Sequence, residues 1–425
     1  MRFKIGLFLL PYFFCITALK AQAQADTLSL NFQEAEKHFL DNNLSLLAQK
    51  YNIDASKALI GQAKLWDNPV LSTDQNIYDG GSKKFFYHNS SLGQGQVFVQ
   101  LSQVFTTAGK RGKQVQVAKD NAQVQEAAFN DLMRNLRYNL QLDFSQLGSL
   151  VEQDKVYQAE ISSATNLVNG IQQAFDAGNV AMKDLIRLKA LLFGLQNDRI
   201  ENSRQINDLQ TELKTLLGTS ETTYITPVIS SQSSQSIKLD IPALIEQAKT
   251  NRGDYLSNKY QFNSATHDLA YQKALAAPDI TLGLSYDKNS SYAPNYYGLQ
   301  IGLPLPFFNR NQGNIKSATY TLKSQESTVK ESEARLKNEV VAAVRQYELT
   351  QEMFSTQQTA FNEQYDKLFN SMLKSFKERQ IGLIEFVDFF DTYKDTKLKI
   401  LQQQYDLQKA IADLNFATGT TIIKP

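Results

Sequence analysis

Between Gly109 and Phe175 apolar residues recur at helical spacing without a break: Val115, Ala118, Ala122, Ala128, Phe129, Leu132, Leu136, Leu140, Phe144, Leu147, Val151, Ile161, Leu167, Val168 and Ile171. About 67 helical residues at 1.5 Å each span ~100 Å, farther than any compact globule needs. The run breaks at Ala177-Gly178-Asn179, a turn signal, and resumes from Met182 to Leu217. The sequence thus predicts a very long antiparallel helical hairpin.

The plan then recurs. Before the first hairpin Val97, Val99 and Leu101 alternate, and Phe105-Thr106-Thr107-Ala108-Gly109-Lys110-Arg111-Gly112 carries the chain from strand to helix. Before the second, Leu299, Ile301, Leu303 and Leu305 alternate, and Pro304 to Asn314 makes the same transition into a helix predicted over Gln312 to Phe376. A turn near Lys377–Gly382 and a return helix from Leu383 to Phe416 follow. Phe175 and Phe376, Val180 and Ile381, Asp184 and Glu385, Leu185 and Phe386, and Gly218 and Gly419 all stand 201 residues apart, the mark of a duplication.

Each copy also begins with a helix and two strands. Asn31 with Glu34 three residues on resembles a capping box, opening a helical stripe through Ala35, Phe39, Leu44, Leu47, Ile53, Ala58 and Leu65 that stops before Pro69. Val70 to Tyr78 and Gln96 to Phe105 are the strand candidates, with a polar loop from Asp79 to Gly95 between them. In the second copy Asp240 is the expected N-cap, with Pro242 in the first turn, of a helix from Ile241 to Ala276. Asp279 to Tyr286 and Tyr297 to Leu305 are its strands. The expected division is a signal peptide over 1–25, a first repeat over 26–217, a Ser- and Thr-rich linker over 218–239, a second repeat over 240–419 and a tail over 420–425.

The leader reading rests on Arg2 and Lys4, the apolar run Ile5 to Leu19, and small-residue cleavage sites at Ala21-Gln22-Ala23 and Ala23-Gln24-Ala25. Cys15, the single cysteine, raises a lipoprotein signal as the alternative, but Phe14 before it is not small. Beyond residue 25 no apolar run approaches the roughly 18 residues of a spanning helix, so any membrane crossing falls to strands. The 44 basic and 43 acidic residues carry no polyanion signal, and no nucleic-acid partner is expected.

Four strands cannot close a barrel, and an open sheet cannot leave its edges unpaired in lipid, so closure needs more than one chain. Two copies would supply eight strands and three would supply twelve. Trp66, Tyr292, Tyr296 and Tyr297 near strand ends suit an aromatic belt, or equally are ordinary loop aromatics. Helical stripes diluted with Gln114, Gln116, Gln123, Gln125, Asn135 and Asn139 suit a wall with one packed and one wetted side. The fold class expected is mainly α with a small β part.

With these features the whole chain resembles the TolC family of outer-membrane efflux channels. Pro304-Leu305-Pro306-Phe307-Phe308-Asn309-Arg310-Asn311-Gln312-Gly313-Asn314-Ile315, and Ala108-Gly109-Lys110-Arg111 in the first copy, resemble the strand exits of its heavy-metal (cobalt–zinc–cadmium or copper–silver) branch. The resemblance implies a homotrimer in the outer membrane of a Gram-negative bacterium, with a twelve-stranded barrel in lipid and a helical tunnel in the periplasm. It also implies a periplasmic adaptor and an inner-membrane pump of the resistance-nodulation-division type. Glu385 and Asp388 match the acidic ring of the periplasmic entrance, with Asp391 three residues further on; a solvated acidic face is the alternative. Asp176, Gly178, Asn179 and Val180, with Glu378, Arg379, Gln380 and Ile381, match the tips that meet the adaptor. Arg379 departs from the family's glycine there.

Phe386, Phe389 and Phe390 read as helix packing. His38, His88 and His267 lie on separate segments without metal-ligand spacing, so no bound metal is expected, and no cofactor either. No nucleophile motif, phosphate loop or dinucleotide fingerprint is present, so the chain is not expected to be an enzyme. The alternatives within this reading are a drug-efflux or type I secretion tunnel; outside it, an exported helical scaffold or adhesin.

Overall fold

The structure, a computed structural model, describes residues 27–89, 95–228, 238–290, 293–354 and 357–424. The expected signal peptide with Cys15, the loop residue Tyr292 and much of the expected linker lie outside the described residues. In chain order the first half runs β1 (Thr27–Leu30), α1 (Phe32–Asn42), α2 (Leu44–Ala63), β2 (Val70–Gln75), β3 (Tyr78–Asp79), β4 (Lys84–Phe85), β5 (Val97–Phe105), α3 (Lys110–Asp176) and α4 (Met182–Leu217). After β6 (Tyr224–Pro227) come α5 (Ile241–Asn251), α6 (Gly253–Leu275), β7 (Ile280–Asn289), β8 (Pro294–Gly302), α7 (Gln312–Met353), α8 (Gln357–Lys377) and α9 (Leu383–Thr418).

The duplication is visible in the helices. α4 and α9 are both 36 residues long, begin and end 201 residues apart, and stop at Gly218 (φ 64°) and Gly419 (φ 69°), where a left-handed residue ends a helix at least cost to glycine. Ile206 and Leu213 of α4 are buried in one core, and Leu407 and Leu414 of α9 in another. A third cluster joins the two hairpins near their tips, with Ala164, Leu167 and Leu195 against Phe369, Phe386 and Phe390. The reading of Phe386, Phe389 and Phe390 as packing holds: two are fully buried and Phe389 packs on their cluster.

Several boundaries differ from expectation. The first helix is interrupted at Asn43, whose side chain accepts the Leu46 amide and donates to Leu216 O, so it restarts α2 while tying it to the end of α4. The predicted helix from Ile241 to Ala276 is likewise two, broken at Arg252. That buried guanidinium pairs with Asp254 and Glu339, both at 2.6 Å, and donates to Ala417 O within the second repeat, while Arg134 of the first repeat donates to Phe416 O across the repeat junction, so two terminal carbonyls of α9 are satisfied. Asp240 occupies the N-cap of α5 but makes no side-chain cap bond. The helix predicted over Gln312 to Phe376 is α7 and α8, whereas α3 runs its full 67 residues unbroken. The Asn31–Glu34 capping box is present, each side chain accepting the other's amide at 2.9 Å.

The region read as linker contains β6, which pairs in parallel with β1; Leu30 and Ile225 are buried there beneath Gln210, which bonds both the amide and carbonyl of Ile225. Four residues per strand are too few for alternation to be seen in the sequence.

Candidate functional site

The main sheet is antiparallel in the order β2-β5-β7-β8 and turns its apolar side outward. Register pairs Leu71 with Leu101, Leu101 with Leu284, and Leu284 with Leu299, one row across all four strands, and these leucines are 65%, 50%, 64% and 67% exposed. The adjacent row on the opposite face is Ser72, Gln100, Ser285 and Gly298; beyond it lie Ser102, Gly283 and Gln300, with Gln100 donating to Gln300. A soluble sheet buries its leucines and wets its glutamines. This one is dressed for lipid outside and water inside. Within one chain β2 and β8 each keep one unpaired edge.

The strand-exit motifs are locks between repeats and elements. Lys110 Nζ lies 2.7 Å from Asp279 Oδ1 and 2.7 Å from Ala277 O, and the Thr107 amide donates to the same carboxylate, so the start of α3 is fixed to the start of β7. In the second copy Asn311, at φ 58°, donates through its side chain to Gln272 O and Oε1 at the end of α6. The second strand ends at Gly302, so Leu303 and Leu305 lie beyond it and stand exposed with Phe307 and Phe308. Trp66 is exposed and stacked under Arg111, whose guanidinium carbon is 3.7 Å from the ring centroid; Tyr296 and Tyr297 are exposed on β8.

About 100 Å of helix separates the sheet from the hairpin tips. The two tips share one backbone geometry: Ala177, Gly178 and Asn179 donate to Gln173, Phe175 and Ala174, and Glu378, Arg379 and Gln380 donate to Lys374, Phe376 and Ser375. Gly178 has φ 77° and Arg379 has φ 60°, so the arginine keeps the left-handed turn despite its side chain. Asp176, Gly178, Asn179, Glu378, Arg379 and Gln380 are exposed, with Val180 and Ile381 half-buried beside them.

Glu385 and Asp388 are exposed on the first turns of α9, on one face, with Phe386 and Phe390 buried on the other. Asp391 is half-buried, and that burial raises its carboxyl above the usual range, with Asp395, Asp388 and Asp198 adding to the effect against Lys394. Next to it is a residue the sequence reading missed. Glu160 of α3 is 2% exposed and neither carboxylate oxygen makes a hydrogen bond. Burial first, then Asp391, Asp395 and Asp198, push its pKa up to about 8 although Lys394 opposes them. Lys394 Nζ lies 3.4 Å from Asp198 Oδ2, linking α9 to α4. A glutamate at an inward position of a helix read as amphipathic was the available signal.

The histidines are apart, as their spacing suggested. His38 faces Asn42, His88 Nδ1 lies 2.8 Å from Phe86 O, and His267 pairs with buried Asp120. Among the described residues no three His, Cys, Asp or Glu side chains converge as metal ligands, and no helix is long and apolar enough to cross a membrane.

An outward-apolar sheet carried on two matched hairpins of this length defines a membrane channel wall continued by a helical tunnel. The profile of the outer membrane efflux protein family matches residues 37–219 and 244–420, and the chain belongs to that family, with its place in the outer membrane. It is 19% identical to the cobalt-zinc-cadmium resistance protein CzcC of Cupriavidus metallidurans over 363 residues, 85% of this chain and 83% of the relative. Its fold is that of CusC (TM-score 0.74, 15% identity, 92% of each chain) and of the Campylobacter jejuni CmeC outer membrane channel (TM-score 0.75, 15% identity, 92% of this chain and 85% of that one).

Proposed function

We propose that three copies of this chain close a twelve-stranded barrel with their sheets and a periplasmic tunnel with their hairpins, forming the passive exit duct of a tripartite efflux system for heavy-metal cations. The observation that carries the duct is the leucine row Leu71–Leu101–Leu284–Leu299 turned outward over a polar face, on a sheet whose edges are free to pair with other copies. Similarity to a cobalt-zinc-cadmium resistance protein over 85% of the chain supports the cargo. Energy enters at an inner-membrane pump of the resistance-nodulation-division type, so this chain supplies a conduit and not a catalyst. In this reading Glu385 and Asp388 ring the periplasmic entrance in three copies, attracting cations and narrowing the aperture. The tips at Asp176–Val180 and Glu378–Ile381 seat the hairpin of a periplasmic adaptor.

The test is growth of a strain lacking this protein in graded zinc, cobalt, cadmium, copper and silver, with dyes, detergents and antibiotics in parallel. Selective metal sensitivity restored by the intact gene supports the reading. Sensitivity confined to dyes, detergents and antibiotics assigns the duct to drug efflux.

A further inference from the structure

Near the tips the hairpin of α3 and α4 and the hairpin of α8 and α9 meet at the apolar cluster of Phe369, Phe386 and Phe390. Beside that cluster the packing leaves a gap. A cavity of about 320 Å³ lies between α3, α8 and α9, with Glu160 and Ser163 of α3, Asp366 and Phe369 of α8, and Tyr393 and Lys397 of α9 among its walls. Pockets that hold small organic molecules begin at about this size, ~300 Å³. Glu160 stands 16 helical residues before Asp176, so the cavity lies ~24 Å from the end of α3, and neither Glu385 nor Asp388 lines it.

The charges lining this cavity pair off with one left over. Lys155 Nζ lies 2.7 Å from Glu152 Oε1, and Lys397 Nζ lies 2.5 Å from Asp366 Oδ1, so each lysine of the lining is neutralised by its own acid. Glu160 has no such partner: it is 2% exposed and both of its carboxylate oxygens are unbonded. The groups behind it do not serve it either. Lys394 is engaged by Asp198 at 3.4 Å and Asp395 at 3.7 Å, and Asp391 adds a further acid. A buried carboxyl without hydrogen bonds is costly, and an ammonium, with three donors and the opposite charge, is its natural complement. Lys397 already shows the arrangement, its ammonium on a carboxylate and 5.7 Å from the centroid of the Tyr393 ring. Phe369 and Tyr393, stacked with centroids 4.0 Å apart, supply an aromatic wall to the same cavity. Among the described residues no three His, Cys, Asp or Glu side chains converge, which argues against a metal ion as the occupant.

We propose that this cavity binds a small organic ammonium bearing an aromatic ring, its N–H groups on the Glu160 carboxylate and its ring against Phe369 and Tyr393. The ammonium donates to the two oxygens that the chain leaves unbonded. Its charge takes the place of the proton that the buried acid otherwise keeps, and that proton leaves to solvent. The aromatic wall attracts the cation and covers the apolar part of the ligand. The site differs in kind from Glu385 and Asp388, which are exposed and would hold any cation by charge alone. It goes beyond the efflux reading, because it places a ligand in the wall of the duct whatever cargo the duct passes. Since α3 belongs to the first hairpin and α8 and α9 to the second, an occupant touches both repeats at once.

The test is calorimetric titration of the full chain, purified in detergent, with 2-phenylethylammonium chloride. 2-Phenylethanol serves as the uncharged analogue and ammonium chloride as the ringless one. The expected result at pH 8 is one saturable site per chain for the amine and none for either analogue at the same concentration. Glu160→Gln should bind at least tenfold more weakly, and so should Ser163→Phe, which fills the cavity and keeps the carboxyl. Glu385→Ala with Asp388→Ala should bind as the parent does. Because Glu160 holds its proton up to about pH 8, affinity should also fall ~fifty-fold between pH 8 and pH 6. Equal affinity in the parent and Glu160→Gln overturns the site, as does a loss confined to the Glu385 and Asp388 variant. An absence of saturable heat from the parent overturns it as well.

Discussion

Replacing Glu160 by glutamine removes a charge that the fold cannot solvate. The carboxyl is buried between α3, α4 and α9, faces Lys394, Asp391, Asp395 and Asp198, and makes no hydrogen bond. Its pKa rises from 4.5 to about 8, chiefly through burial. Below the unfolded value both states hold the proton and the group is neutral to stability. As pH climbs, the unfolded chain gains by ionising and the folded chain cannot follow until about pH 8. Stability therefore falls through this window by ~1.4 kcal/mol per pH unit, a loss on the order of 3 kcal/mol by pH 7. Glutamine has nearly the same shape and does not titrate. Thermal unfolding of the detergent-solubilised protein should show Glu160→Gln matching the parent near pH 4.5, pulling ahead steadily, and holding a constant lead above pH 8. Parallel curves for the two proteins across pH 4.5–9 would refute the reasoning, since every other titrating group is common to both.

Other expectations are sharper in location than in size. A methyl group on Gly253 would overlap Ala127 O and Asp131 N, backbone atoms that cannot swing aside, so Gly253→Ala should cost ~2 kcal/mol or more, whereas Gly61→Ala, with open space around its Cβ, should gain ~0.5–1 kcal/mol. Equal denaturation midpoints for the two variants would contradict the packing argument. Arg379→Gly should relieve ~1 kcal/mol of left-handed strain, read as slower amide exchange at Gln380 and Ile381; faster exchange would show that the arginine side chain holds the tip. Glu385→Ala with Asp388→Ala should raise single-channel conductance or weaken block by multivalent cations, and an unchanged record would remove these residues from the entrance.

The parts of the fold written plainly in the sequence are those where one periodicity runs long. Sixty-seven residues of α3 and the 201-residue register of α4 and α9 gave the hairpins, and two-residue alternation in Ile280, Leu282, Leu284 and Tyr286 gave β7. What escaped was decided by contacts distant in sequence. Asn43 and Arg252 break helices whose stripes continue across them, because each side chain is captured by groups far along the chain: Leu216 O at the end of α4 for Asn43, and Ala417 O at the end of α9 with Glu339 of α7 for Arg252. Propensity sees only a polar residue in a helical run and tertiary bonding overrides it. β1 and β6 escaped for the same reason, each being meaningful only beside the other.

The candidate site divides along the same line. The tips were legible because a turn is local: Gly178 and its neighbours announce it, and the helical stripes on both sides place Arg379 in the equivalent position even without a glycine. Glu160 was not legible, because its chemistry depends on acids from α4 and α9 that only folding brings together. Its equivalent one repeat later is Phe361, so duplication placed a carboxyl and an aromatic ring at the same height on two matched helices. The α3–α9 seam therefore loses stability between about pH 4.5 and about pH 8, while Phe361, exposed on α8, brings no titrating group to the equivalent position. A pH-dependent position and an indifferent one at the same height are what divergence of two copies should leave behind, and Glu160→Gln should remove this site's share of the pH dependence while Asp391, its carboxyl also raised by burial, keeps its own.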